Sequence, residues 1–456
     1  MKKFLILLFL TFGIVSLSEN VDILIKNATV LTMDAKRTVI ENGVVAIKNN
    51  TIVEVGREEL LSKYKGKKTI DAEKDIVMPG FINTHTHVSM VAFRSLADDV
   101  PDRLSRYIFP LENKLVSRDL VYKGAVYGIL EMVSTGTTTF TDMYYFEDEV
   151  AKAAEVIGMR GVLGETVIKN TVADAKEPYG GIEYAEKFIK QYKNSKLVTP
   201  AFAPHAPYTV DEEHLKKVTE LSKKYNVPVL MHIAETENEV KQIKEKYNMT
   251  VVEYLNSIGF LTDKVVAAHV IFANDKDIKI LKETSTGIAH NMVANIKSAK
   301  GVSPALKMYD EGLRIGLGTD GPMSGNTLDL VSQFGYVAKV HKLANKDRAA
   351  MPPYKVVEMA TMGGARALHM EDKIGSLEKG KLADIIIIDT KSLNMQPIYD
   401  PYSAIVYSML PTDVKTTIIN GKIIMENKKI KTYDIKKAKE DLKGLEETVK
   451  REASKL

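Results

Sequence analysis

The 456-residue sequence contains no cysteine. It therefore has no disulfide, no thiolate nucleophile and no zinc site built on sulfur. Any transition metal must be held by histidine and carboxylate. Charge of one sign is also missing in bulk: 63 Lys and Arg stand against 59 Asp and Glu, a formal net charge of +4. With no arginine-rich stretch interleaved with aromatics, that balance gives no support for nucleic-acid binding. No Gly-rich dinucleotide fingerprint follows an early strand, and there is no solenoid repeat or low-complexity linker. What is there is ordinary: 45% hydrophobic and 27% charged residues, which excludes a disordered chain, a collagen and a polytopic membrane protein. A core of this size needs no staples.

Residues 1–18, MKKFLILLFLTFGIVSLS, follow the order of a secretory signal: two lysines, an apolar run from Phe4 to Leu17, and small residues at Ser16 and Ser18. The run falls short of the ~20 residues of a comfortable membrane span. No cysteine follows for lipidation. Cleavage after Ser18 is the expectation, giving an exported or periplasmic protein with no stable membrane association. The alternatives are an uncleaved anchor or a mis-assigned start, the latter leaving the chain cytoplasmic.

From Val21 to Gly56 apolar residues tend to alternate between turn residues, as in hairpins. From Thr69 the texture changes, and short apolar runs alternate with helical stretches. Eight such runs occur: Ile76–His87, Thr137–Tyr144, Gly161–Val167, Leu197–His205, Val227–Glu235, Val265–Ile271, Thr286–Met292 and Arg314–Gly321. Eight βα repeats predict an α/β fold, a TIM (β/α)8 barrel. An open doubly wound sheet is the alternative. After Ala365 the texture returns to β. The domains expected are thus a composite β-sandwich from 19–75 and 376–430, a barrel over 76–375, and an amphipathic helix over 431–456. In that helix Ile435, Leu442, Leu445 and Val449 fall on one face.

His85 and His87 flank Thr86 at the end of the first run, so a strand points both imidazoles the same way. At that end of a barrel strand they face the mouth, where barrel active sites lie. A pair of structural histidines would read the same. But His232, His269 and Asp320 also end apolar runs, the fifth, sixth and eighth. Four strand ends then converge, and three nitrogens with one carboxylate and an open position make a catalytic-type metal set. Glu235, three residues after His232, leaves its strand beside that set. There it can shuttle protons, or it can simply cap the next helix. Asp142, ending TFTDMYY, reads as a supporting carboxylate. His214, His341 and His369 read as non-catalytic, Phe202 and Met231 as core or barrel lining, and Arg94, Asp98 and Asp99 as loop residues that could shape the mouth.

The motifs PGFINTHTH, MHIAETE, AAHV and GLGTDG, in this order, resemble the amidohydrolase superfamily. FRSLADDVPDRLSRYIFPLE, APHAPYTV and LGTDGPMSGNTLDL are similar to its branch of methylthioadenosine/S-adenosylhomocysteine deaminases and triazine chlorohydrolases. The resemblance covers nearly all of Val21–Lys429. It implies one divalent metal, usually zinc with iron(II) as the alternative, on His85, His87, His232 and Asp320. It implies that His269 bonds the attacking water and with Asp320 orients it beside the substrate, that Glu235 moves protons to the ring nitrogen and leaving amine, that Glu112 holds ribose hydroxyls and that His205 contacts the substrate. No lysine ends the fourth strand, where the binuclear branch keeps its bridging group, so a single metal is expected.

The implied activity is hydrolytic deamination of an adenosine-type nucleoside (methylthioadenosine, adenosine or S-adenosylhomocysteine). The rival is another heterocycle C–N reaction, such as guanine or cytosine deamination or triazine hydrolysis. A non-catalytic scaffold would not be expected to keep every ligand. The expected partner is a small amine-bearing heterocycle, and the oligomeric state, a homo-oligomer included, stays open. Two departures stand out. Met292–Ser298 keeps only Asn295 and Lys297 of the usual pattern. Glu165 stands where related deaminases tend to carry an arginine, so repulsion of a substrate carboxylate is expected there.

Overall fold

The computed structural model describes residues 18–456; all but the last residue of the segment read as a signal lies outside the described residues. Eight parallel strands close into a barrel: Phe81–Thr86, Thr137–Tyr144, Arg160–Val167, Val198–Pro204, Val229–Ile233, Val265–His269, Gly287–His290 and Ile315–Leu317. The eighth strand pairs with the first through Leu317 and Asn83. Residues two apart share a face, so Ala201 with Ala203, and Val266 with Ala268, point inward. They meet Ile82, Met143, Val162, Leu230 and Ala289 in one interior cluster. The alternate residues, among them Phe140, Phe202, Met231 and Ile288, pack in the outer core with the helices.

The first apolar run is divided between two sheets. Ile76–Pro79 pairs with Thr29–Val30 on one side and antiparallel with Ile385–Ile388 on the other. The chain enters the barrel only at Phe81. Gly80 makes the crossing, and a Cβ there would fall 2.1 Å from the Thr138 side chain, so no larger residue fits. The continuous hydrophobicity of the run hides this boundary, because both sheets bury it.

Both chain ends build the second sheet. Its nine strands include Glu19–Leu31, Val39–Lys48 and Thr51–Gly56 from the first end, and Ile385–Ile388, Val414–Ile419 and Lys422–Glu426 from the second. Asn49, in left-handed backbone, makes the two-residue turn with Asn50 between the second and third of these. Ile23, Ile25, Val45 and Ile47 share a buried cluster with Val77, Ile385, Ile387 and Ile418, so residues from both ends form one core. Arg160, at the start of the third barrel strand, joins this sheet to the barrel. Its Nε donates to Asp384 Oδ2 at 2.9 Å, and the pair is buried.

The last helix runs Ile435–Ala453, with Asp434 accepting the Lys436 amide as its N-cap. Ala438, Leu445 and Val449 are buried, whereas Ile435 stays exposed and Leu442 half-buried. The buried stripe is therefore narrower than the apolar face of the sequence. The helix lies against the barrel helix Arg118–Ser134, and Lys114 pairs with Glu452 near its end. No helix among the described residues is long and apolar enough to cross a membrane.

Candidate active site

The C-terminal ends of the barrel strands bring His85, His87, His205, His232, His269, Glu235 and Asp320 together. Ring centroids lie 4.9 Å apart for His85–His87, 5.0 Å for His85–His232, 5.5 Å for His232–His269 and 4.9 Å for His205–His232. Donor atoms of His85, His87 and His232 lie within 4.8 Å of one another, as do those of His85, His269 and Asp320. The two groups share His85, so the expected ligands His85, His87, His232 and Asp320 lie in one cluster with His269.

Backbone strain places several of these groups. His269 and Asp320 have φ of +73° and +60°, and Val270, a β-branched residue, has φ of +45°. Such conformations cost of order 1–3 kcal/mol each and persist only where the surroundings enforce them. The Asp320 amide donates to the His85 carbonyl at 3.0 Å, which locks the eighth strand's exit onto the first strand. Asp142 accepts the Val88 amide at 2.6 Å and the Thr86 hydroxyl, so it fixes the turn that carries His87.

Main-chain and amide oxygens set the imidazole tautomers. Nδ1 of His87 donates to the Met143 carbonyl at 2.6 Å, and Nδ1 of His232 to the His205 carbonyl at 2.8 Å. Nδ1 of His269 donates to Asn295 Oδ1 at 2.8 Å. Each ring therefore turns Nε2 toward the centre. The Nε2 atoms of His87 and His232 are 3.3 Å apart, and those of His85 and His269 are buried without a partner. Neutral rings so oriented would aim their lone pairs at one another. Asp320 Oδ1 completes the set, 3.3 Å from His87 Nε2 and 3.6 Å from His85 Nε2.

Protonation follows the same geometry. Burial lowers His85 to about 4 and, with the neighbouring rings, holds His232 well below its usual range. Burial also opposes charge on His87, yet Asp320 and Asp142 raise it to about 9. Burial would raise Asp320, but the His85 and His87 rings beside it hold it well below the usual carboxylate range. The cluster thus retains a proton that a divalent cation would displace. Nitrogen lone pairs, one carboxylate and outer oxygens on the Nδ1 atoms fit a zinc-like ion.

Glu235 follows the fifth strand. Thr236 caps the next helix, accepting the Glu239 amide, and the Glu239 carboxylate reaches back to the amides of Ala234 and Glu235 at 2.9 and 2.8 Å. This aims Glu235 inward: Oε1 lies 3.7 Å from His269 Nε2 and accepts from Lys300 Nζ at 2.5 Å. Burial would raise Glu235, but His269 and Lys300 lower it. The carboxylate thus does not merely cap a helix.

Glu112 sits in the helix Phe109–Leu115 and accepts from the Tyr144 hydroxyl at 2.6 Å. Burial raises Glu112, with Tyr144 opposing. Tyr144 lies 6.5 Å from His87 between ring centroids, so Glu112 borders the cluster through it. His205 Nδ1 lies 3.1 Å from Thr209 Oγ1, and burial lowers it to about 4, a neutral ring beside His232.

The expected repulsion from Glu165 has no basis in the structure. Glu165 is fully buried, its Oε2 accepts the Glu147 amide at 3.0 Å, and burial with Asp174 raises it well above the usual range. Two residues beyond Leu163, which packs in the outer core, it shares the strand's outward face and turns away from the barrel interior. Of the mouth-loop residues, Asp98 binds Arg103, Lys297 and Asn326, drawing three loops together, while Arg94 pairs with Glu131. His214 stacks on Tyr179, His369 bonds the Ser285 carbonyl, and His341 lies 3.1 Å from His290; none enters the cluster.

Asn295, Lys300, Tyr144 and Glu239 escaped the sequence reading. Asn295 carried a signal, as a kept position in a divergent segment. Lys300 carried none.

The amidohydrolase family model matches residues 76–424. The 5-methylthioadenosine/S-adenosylhomocysteine deaminase of Syntrophobacter fumaroxidans is 38% identical over 436 residues, 95% of this chain and 99% of that protein. The 5'-deoxyadenosine deaminase of Methanosarcina barkeri is 38% identical over 435 residues, 94% of this chain and 99% of its own. A crystal structure of an adenosine deaminase from Xanthomonas campestris with bound zinc superposes with a TM-score of 0.93 at 29% identity, over 95% of this chain and all of that one. With its barrel, its split second sheet and this match across most of its length, the chain belongs to the amidohydrolase family.

Proposed function

We propose that the protein is a metal-dependent hydrolytic deaminase of adenosine-type nucleosides, releasing ammonia. The observation that carries this is the placement of Glu235 and His269 beside the histidine–aspartate cluster, with Glu112 bordering the cluster through Tyr144. A site that only bound a metal would need neither a proton carrier nor a free imidazole nitrogen.

His85, His87, His232 and Asp320 would hold one divalent ion per chain, zinc by analogy with the zinc-bound relative, or iron(II). When bound, such an ion lowers the pKa of a water from 15.7 to roughly 7. His269 Nε2, which has no hydrogen-bond partner among the described residues, would accept from the attacking water and orient it. Glu235 takes the water's proton and passes it to the ring nitrogen next to the amine-bearing carbon. The carbon becomes electrophilic and the water's oxygen adds to it; Glu235 then takes the remaining proton from that oxygen and passes it to the amine, which leaves as ammonia as the C–N bond breaks and a C=O bond forms. Glu112 takes hydrogen bonds from ribose hydroxyls. His205, neutral and beside His232, borders the reacting centre.

Methylthioadenosine, 5'-deoxyadenosine, adenosine and S-adenosylhomocysteine form the substrate class; Glu165, buried and bonded to the Glu147 amide, gives no reason to exclude the last. The test is ammonia release from these four nucleosides, adenine, guanine, cytosine and an amino-triazine by zinc-loaded protein. The nucleosides should lead in kcat/KM. Preference for a free base or the triazine would replace this reading with another amidohydrolase reaction.

A further inference from the structure

Lys300 follows the helix Met292–Lys297 beyond the seventh strand, and the function proposed above gives it no part. Its Nζ donates to Glu235 Oε1 at 2.5 Å, although 65 residues separate the two. Only 26% of the lysine side chain and 15% of the glutamate side chain are exposed, so water competes little for the pair. The same oxygen faces His269 Nε2 at 3.7 Å.

The lysine is held from behind. Its amide donates to the Asn295 carbonyl at 2.9 Å, and Gly301 follows with φ of +127°, a conformation that side chains rarely adopt. Asn295 also holds Nδ1 of His269 through its side chain. One short segment, 295–301, thus orients both partners of the reacting water. Each charge supports the other: burial lowers Lys300 but Glu235 more than offsets it, and Lys300 helps His269 lower Glu235.

A glutamate side chain turns about three bonds, and a proton carrier works only when its oxygen stays within hydrogen-bond reach. An ammonium on one oxygen removes most of that freedom and leaves the second oxygen unclaimed. We propose that Lys300 is a positioning residue for Glu235: it pins Oε1 on the His269 side and so dedicates Oε2 to the substrate. The inference rests on the deaminase reading.

Misplacement of a reacting group by about 1 Å can cost on the order of 100-fold in rate. Lys300→Met should therefore keep its metal content and KM within about threefold of wild type, while kcat falls about 10- to 100-fold. Lys300→Arg, which keeps a cation with different reach, should recover part of kcat. In a Glu235→Gln background Lys300→Met should cost nothing further, because the lysine acts through the carboxylate. Lys300→Gln serves the same cycle if the methionine variant does not fold.

A kcat within about twofold of wild type for Lys300→Met would overturn the inference. So would an undiminished effect in the Glu235→Gln background, or a rise in KM with kcat unchanged, which would mark a substrate contact. If wild-type protein deaminates no nucleoside, the deaminase reading fails instead. The cycle is then run on whichever amine it does hydrolyse, and the same outcomes decide the role of Lys300.

Discussion

The Tyr144 hydroxyl donates to Glu112 Oε1 over 2.6 Å, joining the end of the second barrel strand to the mouth loop after the first. One carboxylate oxygen is thereby committed to the protein and the other is left for a ligand. Glu112→Ala should lower kcat/KM for methylthioadenosine by ~1–3 kcal/mol, roughly 5- to 150-fold, and leave adenine unaffected. Tyr144→Phe should show a smaller loss of the same selectivity, about 1 kcal/mol. Equal losses on nucleoside and free base would remove the ribose role.

Metal binding should depend on the nitrogen cluster. Elemental analysis of purified protein is expected to give one zinc or iron per chain, and His232→Ala to give far less. Removing the metal with a chelator should lower the melting temperature, since an ion bound only to the folded state stabilises it. Two ions per chain would contradict a single centre.

Glu235→Gln keeps the shape of the side chain but cannot cycle a proton. It should bind metal and nucleoside near wild-type levels and lose ~10²–10⁴-fold in kcat. Single-turnover ammonia release measures this directly.

Arg160 and Asp384 form a buried pair, with a second bond from Arg160 Nη2 to Asp384 Oδ1 at 3.2 Å. Asp384 also accepts the Asn420 amide at 2.6 Å. Arg160→Met leaves that carboxylate buried without its cation and should cost ~3–5 kcal/mol, read by denaturant unfolding. Asp384→Asn with Arg160→Met should recover part of the loss, because the stranded charge is gone.

Stability should also vary with pH through Glu239. Burial, against the amides of Glu235 and Ala234, raises it to about 7 from an ordinary 4.5. The folded chain therefore binds this proton more tightly than the unfolded one. The resulting stabilisation is full below about pH 4.5 and is lost as pH rises to about 7. Between pH 5 and 7 the unfolding free energy of Glu239→Gln should fall less steeply than that of wild type.

Much of the site was legible along the chain because a strand carries its own geometry. Two-residue periodicity puts His85 and His87 on one face, and a polar residue closing an apolar run marks the open end of a barrel strand. His232, His269 and Asp320 were found in that way. The absence of cysteine fixed the chemical type of any metal site before its position was known.

Tertiary structure decided what depends on contacts between elements. Whether Glu235 meets Lys300 turns on the barrel's curvature across 65 residues, and whether Arg160 meets Asp384 on the docking of the second sheet across 224; no local period encodes such distances. The division of Ile76–His87 between two sheets was hidden because either sheet buries an apolar run. The surroundings of Glu165 could not be read from its identity, since only the fold buries it and brings a neighbouring acid that pushes its carboxyl up. The sequence by itself thus determined which side chains point toward the barrel mouth, because side-chain direction is a property of the strand. The fold determined which nitrogen each histidine offers and which carboxylates keep a charge, because those follow from the carbonyls, amides and cations that the closed barrel brings within about 3 Å.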